Sequence, residues 1–327
     1  MNQNMMSQNM MNQSMNQTIN DTITKLIDNI SFLKDKQREK INIILDSGSF
    51  NGGYLIGSLY FLKELEQKQY IQIDKISGCS IGSLVALLYY ADILDLYNDL
   101  YCMGVEHFQK KGIFGKNKIL NKLKERLPDN ICDLVHKKLY ISYYDLKKKK
   151  KIVRYTYKNK DDIIESIIRS CFFPLLLDNN FIYKNRYTDG LFPYVFPEKN
   201  KNDCKNLFLD LYGFDKFKFI FSVKNEKSSF HRILSGLLDT HLFYIKEKPT
   251  YMCSYINEWT ILNKFYYKVL RPIVEFIAFY IIYSYYFVKN KLMTRETREY
   301  LKNQDFVKIL FRFIHHFRRN LIQYYFL

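Results

Sequence analysis

A serine between two glycines stands where a predicted strand meets a predicted helix. Residues 78–82 read Gly-Cys-Ser-Ile-Gly, a G-x-S-x-G pattern with Ser80 at its centre. The run from Ile73 to Ser77 predicts a β-strand, and apolar residues at helical spacing follow the motif. Gly78 and Gly82 suit a cramped turn because a Cβ there would clash with neighbouring strands. Ser80 is therefore a candidate nucleophile; the alternative is a serine that only caps the helix.

A glycine- and serine-rich loop follows the first predicted strand, Ile41–Leu45. It reads Ser-Gly-Ser-Phe-Asn-Gly-Gly over residues 47–53, and a helical apolar pattern begins directly after it. Such a loop can direct several backbone N–H groups at one point, as the stabilisation of a tetrahedral oxyanion requires. A cradle for a nucleotide phosphate is the competing interpretation. It fits less well, because neither Gly-Lys-Ser/Thr nor G-x-G-x-x-G is present.

A third motif, Asp189-Gly190, follows a strand predicted at Phe181–Tyr183; alone it is equally consistent with an ordinary turn. The order of the three motifs, with Ser170-Cys171-Phe172-Phe173-Pro174 ahead of the aspartate, resembles the patatin-like phospholipase family. The resemblance covers about residues 41–225. The forms carried by large DNA viruses are the most similar.

The resemblance implies a lipid acyl hydrolase with a two-residue catalytic dyad and no histidine. Ser80 would attack the ester carbonyl, and Asp189 would accept its proton and later activate water on the acyl-enzyme. Backbone N–H groups of Gly48 and Ser49 would form the oxyanion hole. The remaining motif positions are these: Ser47, Asn51, Gly52, Gly78, Gly82 and Gly190.

The sequence departs from the family pattern at four positions. Ser47-Gly48-Ser49 stands where three glycines are usual, and Asn51 stands where Arg or Lys is usual. Leu191 replaces a second glycine after the aspartate. These changes predict a slower or more selective enzyme. They also motivate an alternative, a catalytically silent lipid-binding or virion-associated protein on the same fold.

The alternation of strands and helices predicts an α/β fold, with a mainly parallel sheet in a three-layer α/β/α patatin-like arrangement. We expect a disordered Met/Asn/Gln-rich tail at 1–20, a catalytic domain at 41–225 and a helical, membrane-associating extension at 226–327. A short helix should begin near Asp21. Further elements are predicted as follows: a helical stretch over 94–159, with a strand at 152–157, a helix at Asp161–Phe172, and strands at Leu207–Leu211 and Phe217–Val223.

Composition points to an anionic partner. Among 327 residues, 50 are basic and 33 acidic, giving a net charge of +17. Nucleic acid and anionic lipid head groups are the two candidates, but no nucleic-acid-binding motif is visible, so a membrane surface is expected and nucleic acid is not. Tyr and Phe, 28 and 26 in number, suit contact with lipid.

The other chemistry-bearing residues predict neither a metal site nor a cofactor. Six cysteines without a CxxC pair indicate reduced thiols and an intracellular protein, and the N-terminus has no apolar core of a signal peptide. No cluster of His, Cys and Asp has metal-ligand spacing. Among six histidines, only His241 could serve a Ser-His-Asp mechanism, and a structural role is favoured for it.

Two apolar segments near the C-terminus predict membrane contact. Pro272 to Val288 contains one charge, Glu275, and is equally consistent with a buried helix or with a membrane-embedded or interfacial one. The region from Phe306 to Leu321 has an apolar stripe interleaved with Lys and Arg. That pattern is typical of a basic amphipathic helix on an anionic surface. The alternative is a solvated helix packed on the domain.

Overall fold

The computed structural model describes residues 2–35, 37–111, 115–174, 177–178, 180–197, 204–211, 223, 226, 228–292 and 316. Its strands form one sheet and are β1 Glu39–Leu45, β2 Ile71–Cys79, β3 Leu139–Asp145, β4 Lys150–Arg154, β5 Tyr187–Asp189, β6 Lys205–Leu209 and β7 Cys253–Tyr255. Their order across the sheet is β4-β3-β2-β1-β6-β7, and β5 pairs with β3.

Helices lie before, between and after the strands. They are α1 Asn2–Asp28, α2 Gly52–Gln67, α3 Ile81–Tyr90, α4 Leu96–Lys111, α5 Lys116–Arg126, α6 Ile131–Val135, α7 Lys160–Ser170, α8 Phe230–Lys246, α9 Ile261–Phe265 and α10 Arg271–Phe287. Short 3-10 helices cover Ser31–Asp35, Ser49–Asn51 and Ile256–Glu258.

The sheet is mainly parallel, as the sequence predicts. β1 lies between β2 and β6 and is parallel to both, and β2 is parallel to β3. Ile41, Ile43 and Ile44 of β1 are fully buried, because helices cover both faces of a parallel sheet and each side chain packs against one of them. The α/β class, with a mainly parallel central sheet flanked by helices, is confirmed.

The expectation of a helical stretch through 94–159 is wrong at Leu139–Asp145, which form β3, whereas the strand predicted at 152–157 overlaps β4. β3 occupies the sheet between β2 and β4, and its apolar residues pack in the core. The predicted strand at 181–183 is reduced to one bridge between Tyr183 and Tyr187. β2 pairs with Leu139–Ser142, whereas β5 pairs with the later residues Tyr143–Asp145. β5 thus continues along the edge of β3 where β2 ends.

The expected disorder of residues 1–20 is also not what the structure has. α1 begins at Asn2, and its side chains Ile19, Ile23 and Ile27 are buried. These isoleucines recur every four residues, so they share one face of the helix, which packs against α2 and α8. Polar residues between them obscure that periodicity in the sequence.

The expected boundary at residue 225 does not separate two structural units. β7 pairs with β6 at the edge of the sheet, and α8 packs along α2. The two helices approach so closely that a Cβ at Gly57 would lie 1.8 Å from the Ile233 carbonyl oxygen, and one at Gly236 would lie 1.9 Å from the Tyr54 carbonyl oxygen. The region after 225 therefore contributes directly to the core.

The C-terminal region is helical as far as it is described. α9 leads through a π-helical turn, Tyr266–Leu270, into α10, and a second π-helical turn follows at Val288–Leu292. Within the described residues, no helix is long and apolar enough to cross a membrane. The predicted strand Phe217–Val223 and the amphipathic stripe 306–321 lie outside the described residues, apart from Val223 and His316.

Candidate active site

Ser80 lies at the sharp turn between β2 and α3, with backbone angles φ 52° and ψ −127°. A residue with a side chain rarely adopts this conformation, which costs about 1–3 kcal/mol. The flanking glycines are required sterically. A Cβ at Gly78 would lie 2.5 Å from the Gly82 carbonyl, and one at Gly82 would lie 2.7 Å from backbone oxygen atoms of Leu45 and Asp46.

A buried serine from another helix holds this turn in place. The Ser80 backbone N–H donates to Ser170 Oγ over 2.9 Å, and Ser170 Oγ donates to the Ser142 carbonyl over 2.7 Å. Ser170 is the last residue of α7 and is fully buried. It therefore connects the turn to β3. The sequence pattern that ends at Pro174 contains this serine, but the pattern alone does not reveal its partner.

Asp189 ends β5 beside the same turn and is 4% exposed. Its Oδ1 accepts the Leu191 N–H over 2.7 Å, and the Cys79 thiol lies 3.7 Å from it. Burial raises the pKa of Asp189 to about 6, while the Leu191 N–H, the Ser80 hydroxyl and the Cys79 thiol lower it. Among the described residues, Oδ2 has no donor within ordinary hydrogen-bond distance. Oδ2 is thus available to accept a hydrogen bond from the Ser80 hydroxyl when substrate is bound, since hydrogen bonds between catalytic groups often shorten only on substrate binding.

The residues after Asp189 fix its orientation. A Cβ at Gly190 would lie 2.4 Å from the Ser142 carbonyl oxygen, so only glycine fits against β3 there. Leu191 has φ 60°, a conformation that favours glycine. Leu191 stands where a second glycine is usual in the family that the sequence resembles. It therefore adopts a backbone conformation that favours glycine, at an energetic cost.

The loop before α2 lies across from Ser80 and lines the same cavity with Ser47, Gly48 and Ser49. Ser49 has φ 47°, again a conformation that favours glycine. Within the described part of the chain, the backbone N–H groups of Gly48 and Ser49 have no acceptor. Ser47 Oγ donates to the Leu191 carbonyl over 2.5 Å, which joins this loop to the turn after Asp189.

At its C-terminal end, this loop contacts a buried arginine, Arg232, which no local sequence pattern indicates. Asn51 is fully buried, and its Oδ1 accepts from Arg232 Nη1. Arg232, itself fully buried on α8, also donates from Nη2 to Glu226 Oε1 over 2.7 Å. Asn51 stands at the position where Arg or Lys is usual in the family that the sequence resembles. In this protein the positive charge near that position comes from Arg232 on α8. A Cβ at Gly52 would clash with Ile81, which keeps the loop against α3.

The near end of the loop is held by a second arginine, Arg271, the first residue of α10. Its Nη2 lies 2.5 Å from Asp46 Oδ2, and its Nη1 lies 3.3 Å from Asp46 Oδ1. The Asp46 Oδ1 also accepts the Ser47 N–H over 3.0 Å. Burial raises the pKa of Asp46 to about 7 against the attraction of Arg271, which lowers it. The guanidinium is further covered by the rings of Phe192 and Tyr267, at 4.5 and 4.3 Å.

An apolar cavity of about 200 Å³ opens beside Ser80 and Asp189. Its walls come from α3, α4, α5, α7 and the segment that follows α7. They consist mainly of Ile81, Leu84, Leu100, Ile119, Leu120, Leu123, Ile167, Ile168, Phe173 and Leu177. A pocket with one polar end and apolar walls suits the hydrocarbon chain of an ester whose carbonyl lies at Ser80.

The structure does not bring the alternative catalytic residue to the site. His241 lies on α8 with its ring 5.6 Å from Phe61, edge to face, and it does not line the cavity. Burial lowers the pKa of His241. In the described portion of the chain, no group of His, Cys, Asp and Glu could hold a metal ion.

Comparison with known proteins covers the part of the chain that carries Ser80 and Asp189. Residues 43–199, from β1 to just beyond β5, match the family described as patatin-like phospholipase. The chain carries a patatin-like phospholipase domain. Over 156 residues it is 28% identical to a Mus musculus protein named 1-acylglycerol-3-phosphate O-acyltransferase Pnpla3. That stretch covers 43% of this chain and only 37% of the mouse protein.

The match relates the chain to lipid acyl hydrolases and acyltransferases. Both arginines that contact the loop before α2, Arg232 and Arg271, lie beyond the matched residues. So do β6, which is parallel to β1, and α8, which packs on α2. The patatin-like phospholipase domain is therefore completed in this protein by the C-terminal part of the chain.

Proposed function

We propose that the protein is a lipid acyl hydrolase that cleaves carboxylic esters of membrane lipids through an acyl-enzyme on Ser80. One observation carries this proposal. The strained turn of Ser80 lies beside the buried Asp189 carboxylate at the polar end of an apolar cavity. A general base with a pKa near 6 is ionised at neutral pH and can accept the serine proton.

In the acylation step, Ser80 Oγ forms a bond to the ester carbonyl carbon while its proton passes to Asp189. The carbonyl oxygen becomes an oxyanion, which accepts hydrogen bonds from the N–H groups of Gly48 and Ser49. When the tetrahedral intermediate collapses, the bond to the leaving alcohol breaks. Asp189 returns the proton to that alcohol, which leaves as a lysolipid.

In the second step, water forms a bond to the acyl carbon while one of its protons passes to Asp189. When this tetrahedral intermediate collapses, the bond to Ser80 Oγ breaks, Asp189 returns the proton to Ser80, and the fatty acid leaves. The acyl chain remains in the apolar cavity during both steps. A second candidate function is acyl transfer, in which a lipid hydroxyl replaces water. The name of the mouse relative favours this candidate, with 1-acylglycerol-3-phosphate as the acceptor.

The test is incubation of the purified protein with mixed phospholipid vesicles, with and without 1-acylglycerol-3-phosphate, and mass spectrometry of the products. Free fatty acid and lysolipid support hydrolysis, whereas a diacylated acceptor supports transfer. Ser80→Ala and Asp189→Asn should each lower turnover by at least about 10³-fold. Ser235→Ala, a matched change on the exposed face of α8, should retain it.

A fluorophosphonate probe separates this proposal from a catalytically silent protein on the same fold. An adduct at Ser80 in the native protein, lost in Ser80→Ala, indicates an activated serine. Lipid ester turnover that persists in purified Ser80→Ala would contradict the proposed mechanism.

A further inference from the structure

The helix α10 presents an unusually apolar exposed face. Its side chains Ile273, Val274, Phe276, Ile277 and Ile281 are between 49% and 62% exposed. The preceding α9 begins with Ile261 and Leu262, which are 87% and 79% exposed. An apolar surface that extends over two successive helices marks an interaction site, because isolated exposed apolar residues do not accumulate in this way.

α10 is fixed lengthwise to the domain along its opposite face. Phe279 and Ile282 are buried with Tyr144 and Leu146, and the rings of Phe279 and Tyr144 lie 4.8 Å apart. The exposed face therefore points away from the domain along the whole helix. A flat partner could contact it with the helix axis parallel to the surface of that partner.

A strongly basic turn borders this helix. Lys147–Lys149 lie in the turn between β3 and β4, Lys150 and Lys151 begin β4, and the first four of these five lysines are exposed. Lys149 Nζ lies 5.3 Å above the ring of Tyr283, and Lys151 Nζ lies 2.5 Å from Glu275 Oε1. The tertiary structure thus places five consecutive lysines beside an apolar helix that is more than a hundred residues away in the sequence.

The charges of α9, α10 and the turns around them are almost all positive. Between residues 261 and 292, Glu275 is the only acidic residue, and Lys151 pairs with it. Lys264, Lys268 and Lys289 lie in the same stretch. The complementary surface must therefore be both apolar and anionic.

We propose that α9, α10 and the Lys147–Lys151 turn together form a docking surface for an anionic lipid bilayer. We call this set the docking surface. A bilayer offers acyl chains to the apolar face and anionic head groups to the lysines. A nucleic acid would leave the apolar face exposed, and a second copy of the chain would bring the same lysines into contact with each other.

Docking would place the candidate active site next to its substrate. Arg271 at the start of α10 covers the ring of Phe192, and the adjacent Leu191 lines the cavity. The membrane-facing helix thus begins at the cavity wall. The choice of lipid as partner rests on the proposed function, but the binding surface itself rests on the exposure and charge described above.

The experiment uses full-length Ser80→Ala protein, so that the lipid stays intact. Flotation with vesicles of phosphatidylcholine and phosphatidylserine at about 7:3 measures partitioning, and pure phosphatidylcholine vesicles are the comparison. Ile277→Glu/Ile281→Glu should lower partitioning at least about tenfold, since two apolar side chains no longer enter the bilayer. The matched control is Leu238→Glu/Leu242→Glu on α8, where side chains four residues apart are 44% and 36% exposed; it should bind as the parent does.

The basic turn is tested separately. Lys147→Gln/Lys148→Gln/Lys150→Gln should lower binding to the anionic vesicles about fivefold per lysine and change binding to phosphatidylcholine little. Circular dichroism melting of every variant shows whether the fold is intact. Equal losses in the α8 control and the α10 variant would overturn the proposal. So would sedimentation showing that the α10 variant turns a dimer into a monomer while vesicle binding persists.

Failure of this proposal is distinguishable from failure of the proposed function. Vesicle binding is measured on protein that cannot form the acyl-enzyme, whereas hydrolysis of a soluble short-chain ester by the wild type requires no membrane. A wild type that cleaves the soluble ester but does not float with anionic vesicles would retain the function and lose the docking surface.

Discussion

Replacement of Arg271 by Gln removes one partner of the buried ion pair at the start of the loop before α2. Arg271 and Asp46 are 4% and 0% exposed, and their charged groups lie 2.5 Å apart. Loss of one member of such a pair costs about 3–5 kcal/mol when the other remains charged. Asp46 can avoid this by binding a proton, so the loss of stability depends on pH.

The direction follows from the pKa of Asp46, which burial raises to about 7 in the folded protein from an unfolded value of 3.8. The folded state then binds this proton more tightly, and stability falls as pH rises between the two values, by up to about 1.4 kcal/mol per pH unit. In the wild type the fall ends just above pH 7. Without the attraction of Arg271 the pKa of Asp46 rises further, so the fall continues to higher pH.

We therefore expect Arg271→Gln to lower the free energy of unfolding by about 1–2 kcal/mol at pH 6, where a neutral Asp46 loses only hydrogen bonds. At pH 9 the loss should approach about 3–5 kcal/mol. Urea unfolding at pH 6, 7, 8 and 9, followed by circular dichroism, measures the difference from the wild type. The stability of the double variant Asp46→Asn/Arg271→Gln should lack the part of the pH dependence that arises from the Asp46 carboxyl group. A difference between Arg271→Gln and the wild type that is the same at pH 6 and pH 9 would refute this reasoning.

Two further predictions concern the proposed base, Asp189, and Ser49 in the loop before α2. Because burial raises the pKa of Asp189 to about 6 and the base must be ionised, kcat/KM for a soluble ester should be constant above about pH 7 and fall about tenfold per unit below pH 6. Initial rates between pH 4.5 and 8 measure this, and a profile without a decline down to pH 4.5 would exclude Asp189 as the base. Ser49→Gly should stabilise the protein by about 0.5–1 kcal/mol, since Ser49 has φ 47°. Ser235→Gly inside α8 is the matched control and should destabilise by a similar amount; thermal unfolding of both variants measures these changes, and a loss of stability in Ser49→Gly would contradict the expectation.

Features that depend on neighbouring residues were predictable from the sequence alone. The turn around Ser80 was predictable because only glycine fits at positions 78 and 82, and because a strand and a helix flank the motif directly. The α/β class followed from the same alternation. The departures at Ser49 and Leu191 were also visible, and the structure shows that both residues adopt the conformation that glycine normally takes.

The distant residues that complete the site are brought together by the fold and could not be predicted from local patterns. Asp189 reaches Ser80 because β5 pairs with the part of β3 that β2 leaves free, and β3 itself was hidden in a segment predicted as helical. Arg232 and Arg271 contact Asn51 and Asp46 across separations of 181 and 225 residues. Local sequence patterns do not predict such pairs. A buried charge needs an oppositely charged or hydrogen-bonding partner, but the partner can come from any part of the chain that lies nearby in the fold. The lysines beside α10 have the same origin, since sequence gives their charge and only the fold gives their neighbours.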